Sequence, residues 1–279
     1  MDKNKKLKRV FFYAAIICFL GVNLFPFWIM LMTAFKESAE AISTSPTILP
    51  RHITTEHFFD IFNPDIFPFV DYFKNSLITS IAASVIAVII GIGGAYALAR
   101  LNFKGRNQIN ASFYTVYMFS GILIVVPLFK IIASLGLYDT RTSIVITMVV
   151  QTLPTAIFML RSYFETIPKD IEEAAMIDGL SRFQIIIKIM IPLAFAGIVS
   201  VFVYCFMVSW NDFLFASIFL SSTDKFTLPI GLNTLFSTPD YVWGRMMAAS
   251  LITALPVVIM YAISERFIKG GAIEGGVKG

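Results

Sequence analysis

The sequence predicts an all-α chain that crosses a membrane several times. Hydrophobic residues make up 57% of the 279 residues and charged residues 14%, against about 25% charged in an ordinary soluble domain. The apolar residues come in long runs, not amphipathic stripes. A spanning helix needs roughly 20 apolar residues, because each rises about 1.5 Å across a core about 30 Å thick. Six runs approach that length: 10–35, 75–98, 113–132, 143–160, 189–209 and 246–267. None alternates in polarity over about ten residues, as the strands of a membrane barrel do.

The first run follows Lys3, Lys5, Lys6, Lys8 and Arg9. A signal peptide begins this way, but the apolar stretch is too long and no small-residue cleavage site ends it before Lys36. It is read as an uncleaved span. With a cytoplasmic N-terminus, only seven of 22 Lys and Arg fall outside: Lys36, Arg51, Lys74, Lys130, Arg141, Lys225 and Arg245. The excess within follows the positive-inside rule and puts both termini in the cytoplasm. The basic N-terminus suits topology and anionic lipid; no aromatic-basic surface accompanies it, so no nucleic-acid partner is read.

Residues 1–74 form the first span and an outer segment carrying Pro46, Pro50, Pro64 and Pro68, which suit turns. His52 and His57 flank Glu56 there, but their five-residue spacing does not share a helix face, so no metal site is read. The second run carries Ala83, Ala87, Gly91, Ala95 and Ala99 at every fourth position, a small-residue face for close helix contact. Gly91, Gly93 and Gly94 lack the Lys-Ser/Thr of a phosphate loop, so no nucleotide or other cofactor is read for this chain. The fourth run is the shortest and holds Gln151 and Pro154. Cys18 and Cys205 fall within runs and read as small apolar residues. Residues 75–269 form a core, and 270–279 a Gly-rich tail.

Ion-coupled carriers place acids, His or Arg inside the membrane. These runs hold almost none, so the energy is expected from a partner.

The cytoplasmic stretch 166–192 reads as two helices at a sharp corner. Pro168 suits the first turn of the first helix, and Asp170, Glu172 and Glu173 favour its positive end. Gly179 supplies the stop. Ser181 and Gln184 make a capping box for a second helix through Ile186 and Ile189, continuous into the membrane, with a bend at Pro192. Ala174 and Ala175 leave a surface without bulk, open to another protein or to an ordinary surface role.

Glu173-Ala174-Ala175, three residues, Gly179, nine residues, then Ile189 and Pro192 resembles the EAA loop of binding-protein-dependent ABC importer permeases. Ile191 replaces the motif's Leu, a conservative departure. AYALARLNFKGR, WNDFLFA, FTLPIGL and the final GGVKG resemble carbohydrate importer permeases of the maltose type, the smaller six-span subunit above all.

The resemblance implies a type I ABC importer permease fold in a bacterial plasma membrane. It implies a second related permease, two ATPase subunits that hydrolyse the ATP, and an extracellular sugar-binding protein. Glu173, Ala174, Ala175, Asp178, Gly179, Ile189 and Pro192 would couple to an ATPase subunit. No catalytic residue is expected. Gln151, Tyr204, Ser209, Asn211 and Asp212 are pathway candidates, each with an alternative role in helix contact, capping or, with Trp210, interfacial anchoring. Two other readings stay open: an importer of a non-sugar solute, and a self-contained secondary carrier.

Overall fold

A computed structural model describes residues 3–43, 47–118, 121–236 and 242–275. Among them, regular structure is helical apart from one antiparallel bridge, Lys36 to Ile53. The helices are α1 (Lys3–Ala34), α2 (Ser38–Ala41), α3 (Glu56–Asp60), α4 (Phe69–Arg100), α5 (Arg106–Met118), α6 (Gly121–Ser134) and α7 (Arg141–Glu165). They continue as α8 (Lys169–Ile177), α9 (Arg182–Ile185), a π-turn (Ile186–Met190), α10 (Ile191–Leu193) and α11 (Phe195–Trp210). Last come α12 (Leu214–Phe219), a 3-10 turn (Thr223–Lys225), α13 (Leu228–Phe236) and α14 (Trp243–Gly275). Pro46 and residues 276–279 lie outside the described residues.

Among the described residues, four helical stretches are long and apolar enough to cross a bilayer: Lys8–Ala34, Phe69–Arg100, Arg141–Glu165 and Trp243–Phe267. The fourth run is thus longer than the sequence suggests. Thr140 caps α7 through its side chain, and the pair of Arg161 with Glu165 at 2.8 Å carries the helix past the apolar stretch.

Two expected spans differ. The run 189–209 is not one continuous helix: the stretches Arg182–Leu193 and Phe195–Trp210 meet at 84°. The π-turn precedes the break, Pro192 lies between the two, and Ala194 at φ −95°, ψ 14° leaves helical geometry. The pair counts as a fifth span if the two arms are taken together. The run 113–132 falls across α5 and α6, with residues 119–120 undescribed. The first turn of α5 carries Arg106, Asn107 and Gln108, and the 14 residues of α6 reach only about 21 Å.

The chain forms two compact units. The first comprises Met1–Val70 and Gly231–Leu255. Within it α1 buries none of its apolar window. The segment after α1 closes where Thr54 N donates to Phe35 O at 2.9 Å. His57 is buried, its Nε2 donating to Lys36 O at 2.9 Å, and Arg245 pairs with Asp60 at 2.8 Å.

The second unit comprises Asp71–Ile230 and Pro256–Gly279. The small-residue face of α4 packs on α7: a Cβ at Gly91 would stand 3.1 Å from Leu160, and one at Gly94 3.0 Å from Ile157. This contact extends through buried Ala87, Ala95 and Ala99 into one core with Phe164, Ile185, Met190 and Val201. A second cluster joins Leu128 and Ile132 of α6, Ile144 and Met148 of α7, and Phe215 and Phe219 of α12. Asn75 Nδ2 donates to the carbonyls of Asp224 (2.9 Å) and Phe226 (3.0 Å), satisfying turn backbone at the start of α4. Trp210 is not an interfacial anchor. It is 1% exposed, stacked on Phe206 and met edge-on by Phe73.

Candidate functional site

The corner between α8 and α9 is built from local chemistry. Pro168 stands at the N-cap of α8, one residue ahead of the first turn. The helix ends in a Schellman motif: Gly179 N donates to Met176 O (3.1 Å) and Leu180 N to Ala175 O (3.0 Å), with Gly179 at φ +82°. Leu180 packs against the same core as Ala175, the apolar contact that accompanies such a stop. A capping box follows at once. Gln184 N donates to Ser181 Oγ and Ser181 N to Gln184 Oε1.

The two faces of α8 differ. Glu172 and Ala175 point inward, while Ile171, Glu173, Ala174, Ile177 and Asp178 are exposed. Ala175 therefore does not share an open surface with Ala174. One step around a helix is about 100°, and Ala175 falls on the buried side, in the same core as Tyr96, Ala99 and Ile185. Ile177 is 87% exposed, an apolar side chain with no cover from its own chain. On the other arm of the corner, Phe183 and Ile187 are exposed as well. Ile189 is half-buried against the core and Pro192 is exposed.

Behind α8 lies a buried polar cluster. Arg100, at the end of α4, approaches Glu172 at 3.2 Å; their side chains are 4% and 10% exposed. Arg100 Nη2 donates to Phe164 O (2.8 Å) and Ile167 O (2.6 Å). Tyr96, one turn earlier, donates its hydroxyl to the other Glu172 oxygen. Arg106 folds back to donate to Leu98 O at 2.8 Å, closing the end of α4. The sequence reading did not find this cluster. The one local signal was Tyr96 and Arg100 four residues apart, on one helix face.

The pathway candidates sit in different surroundings. Gln151 is exposed on α7, where a Cβ at Gly121 would approach its Nε2 to 3.5 Å. Tyr204 is half-buried against the main core. Ser209 Oγ is buried without a partner. Asn211 Nδ2 donates to Met207 O at 2.8 Å. Asp212 accepts from Phe215 N (3.4 Å) and Ala216 N (3.0 Å), capping α12. A polar cavity of about 360 Å³ lies elsewhere, lined by Asp71, Lys74, Asn75, Ile78, Arg141 and Asp224.

A second polar device stands at the turn between α6 and α7. Asp139 accepts from Ser221 N (2.9 Å), Ser222 N (3.0 Å), Ser222 Oγ and Lys225 Nζ (2.8 Å). Lys225, Ser222 and those backbone donors hold its carboxyl well below the usual carboxylate range.

Comparison with known proteins gives the corner its context. The chain is 70% identical over 280 residues to the inner membrane ABC transporter permease protein YcjP of Escherichia coli, covering all of both chains. It is 33% identical over 278 residues to the trehalose/maltose transport system permease protein MalG of Thermococcus litoralis, covering 99% of each. A solved bacterial ABC transporter involved in import of the acidic polysaccharide alginate shares the fold. Its TM-score is 0.80 at 22% identity, over 95% of this chain and 97% of that one. Residues 87–270 match the binding-protein-dependent transport system inner membrane component, and the chain belongs to that family of ABC transporter permeases, as a multi-pass inner-membrane protein.

Proposed function

We propose that this chain is the smaller, six-span permease of an ATP-driven importer for a sugar or oligosaccharide, with both termini cytoplasmic. It pairs with a second permease. Two ATPase subunits hydrolyse the ATP, and an extracellular binding protein delivers the cargo. The observation that carries the coupling role is the α8–α9 corner. It is rigidly capped at both turns, yet it leaves Ile177, Phe183 and Ile187 uncovered. Such a face fits a cleft on an ATPase subunit, and its movement rocks the packed helices behind it. Carbohydrate cargo is supported by relatives named for trehalose/maltose, diacetylchitobiose and arabinooligosaccharides. Residues 75–269 carry transport, 166–192 couple it, and 270–279 form the cytoplasmic tail.

The test is co-purification of the tagged chain from detergent-solubilised membranes. A second permease and an ATPase are expected in the eluate. A stable chain that elutes alone and transports solute on an ion gradient would overturn the assignment.

A further inference from the structure

The stroke of an ATPase must leave α8 by some route. One route runs along the chain through α9 into α11. It is interrupted by the π-turn at Ile186–Met190 and by the 84° break at Ala194. A π-turn and a break are places where a helix yields. The other route runs sideways through Arg100. Its guanidinium meets carbonyls at the C-terminal end of α7, where a cation is favoured. It also meets Glu172 in the first turn of α8, where an anion is favoured. Tyr96 ties the same carboxylate to α4 a turn away. Tyr96, Ala99, Ala175 and Ile185 also belong to one buried apolar core.

Buried ion pairs are poor stabilisers, because desolvation offsets their attraction, but they fix one geometry and penalise others. We infer that Arg100, Glu172 and Tyr96 are positioning residues that latch α8 to the cytoplasmic end of α4, so that the two move as one body while α11 follows through a hinge at Ala194. This rests on the coupling role proposed above.

The test uses the complete purified complex with spin labels at Lys104→Cys, just past α4, and Lys169→Cys, at the start of α8. Both positions are exposed. Cys18 and Cys205 are replaced by Ala. Distances are measured without nucleotide and after trapping with ATP, magnesium and vanadate. With the latch intact the two distributions coincide. In Glu172→Gln they separate into resolved peaks. A cluster that only supports the fold would leave the two states alike in the variant too.

Glu172→Gln strands a buried guanidinium and can fail to assemble. Arg100→Met with Glu172→Leu removes both charges together and reads the same distance. Coinciding peaks in whichever variant assembles overturn the latch, as does separation in the unaltered chain. Loss of assembly in both overturns it as well, since the cluster is then a folding element. Absence of a co-purifying ATPase would sink the importer reading before any distance is taken.

Discussion

Gly197 lies against the ring of Tyr163, so close that a Cβ at 197 would stand 2.3 Å from Tyr163 Cγ. The contact joins α11, in its first turn after the break, to α7. Because Cγ is near the backbone, the ring cannot swing clear without moving the helix.

Gly197→Ala should therefore destabilise the protein by about 1–3 kcal/mol through overpacking. Thermal unfolding in detergent would read this as a lower midpoint. Gly93→Ala is the control: nothing lies within 4 Å of the added carbon. Glycine costs about 1 kcal/mol relative to alanine within a helix, so the control should be neutral or stabilising. Equal midpoints for the two variants would show that the α7–α11 contact has room to spare.

At Gly179 the constraint is conformational. Its φ is +82° and a Cβ there meets nothing within 4 Å. Left-handed geometry costs an L-residue about 1–2 kcal/mol, less for asparagine. The order of coupled transport should be Gly179, then Gly179→Asn, then Gly179→Ala and Gly179→Val. ATP hydrolysis and uptake measured together in proteoliposomes give the ranking. Asparagine no better than valine would mean that size against a partner decides, not backbone shape.

Asp139 also has a positive φ, 55°, and accepts four hydrogen bonds from the segment Ser221–Lys225. Asp139→Asn tolerates the backbone but loses the charge, so amides at 221 and 222 should exchange faster. The sign of the pH dependence follows from the lowered carboxyl. Its contribution is complete above the unfolded value of about 3.9 and fades only as pH falls toward the folded one. Protection corrected for intrinsic exchange should be flat from about pH 5 to 8. A step near neutrality would contradict this assignment.

What the sequence discloses depends on distance along the chain. Gly179, Ser181 and Gln184 act within four residues of themselves, so the corner could be read in advance. The small-residue face of α4 was legible because helix periodicity brings Ala87, Gly91 and Ala95 together, although its partners on α7 were not. A bend was legible in Pro192, next to the break at Ala194, but its 84° size and the π-turn before it were not, because a hydropathy reading measures only the length of an apolar run. Trp210 misled for a similar reason: an indole at a run's end suits the interface, and only the fold brings Phe73 and Phe206 around it. Arg100 and Glu172, or Asp139 and Lys225, meet across many intervening residues, and no local spacing announces such pairs.

The segment between α1 and α4 offers a last test in His57. Its ring lies where a Cβ on Gly244 would be, 2.1 Å from Cδ2, and its Nε2 holds the Lys36 carbonyl. Gly244→Ala must displace the ring and with it that hydrogen bond. His57→Ala removes the ring and strands the carbonyl, a cost of about 1–3 kcal/mol for a buried acceptor. The double variant meets no clash, so its unfolding midpoint should equal that of His57→Ala alone. Additive losses would mean that Gly244 answers to a neighbour other than His57, since contacting residues are expected to couple.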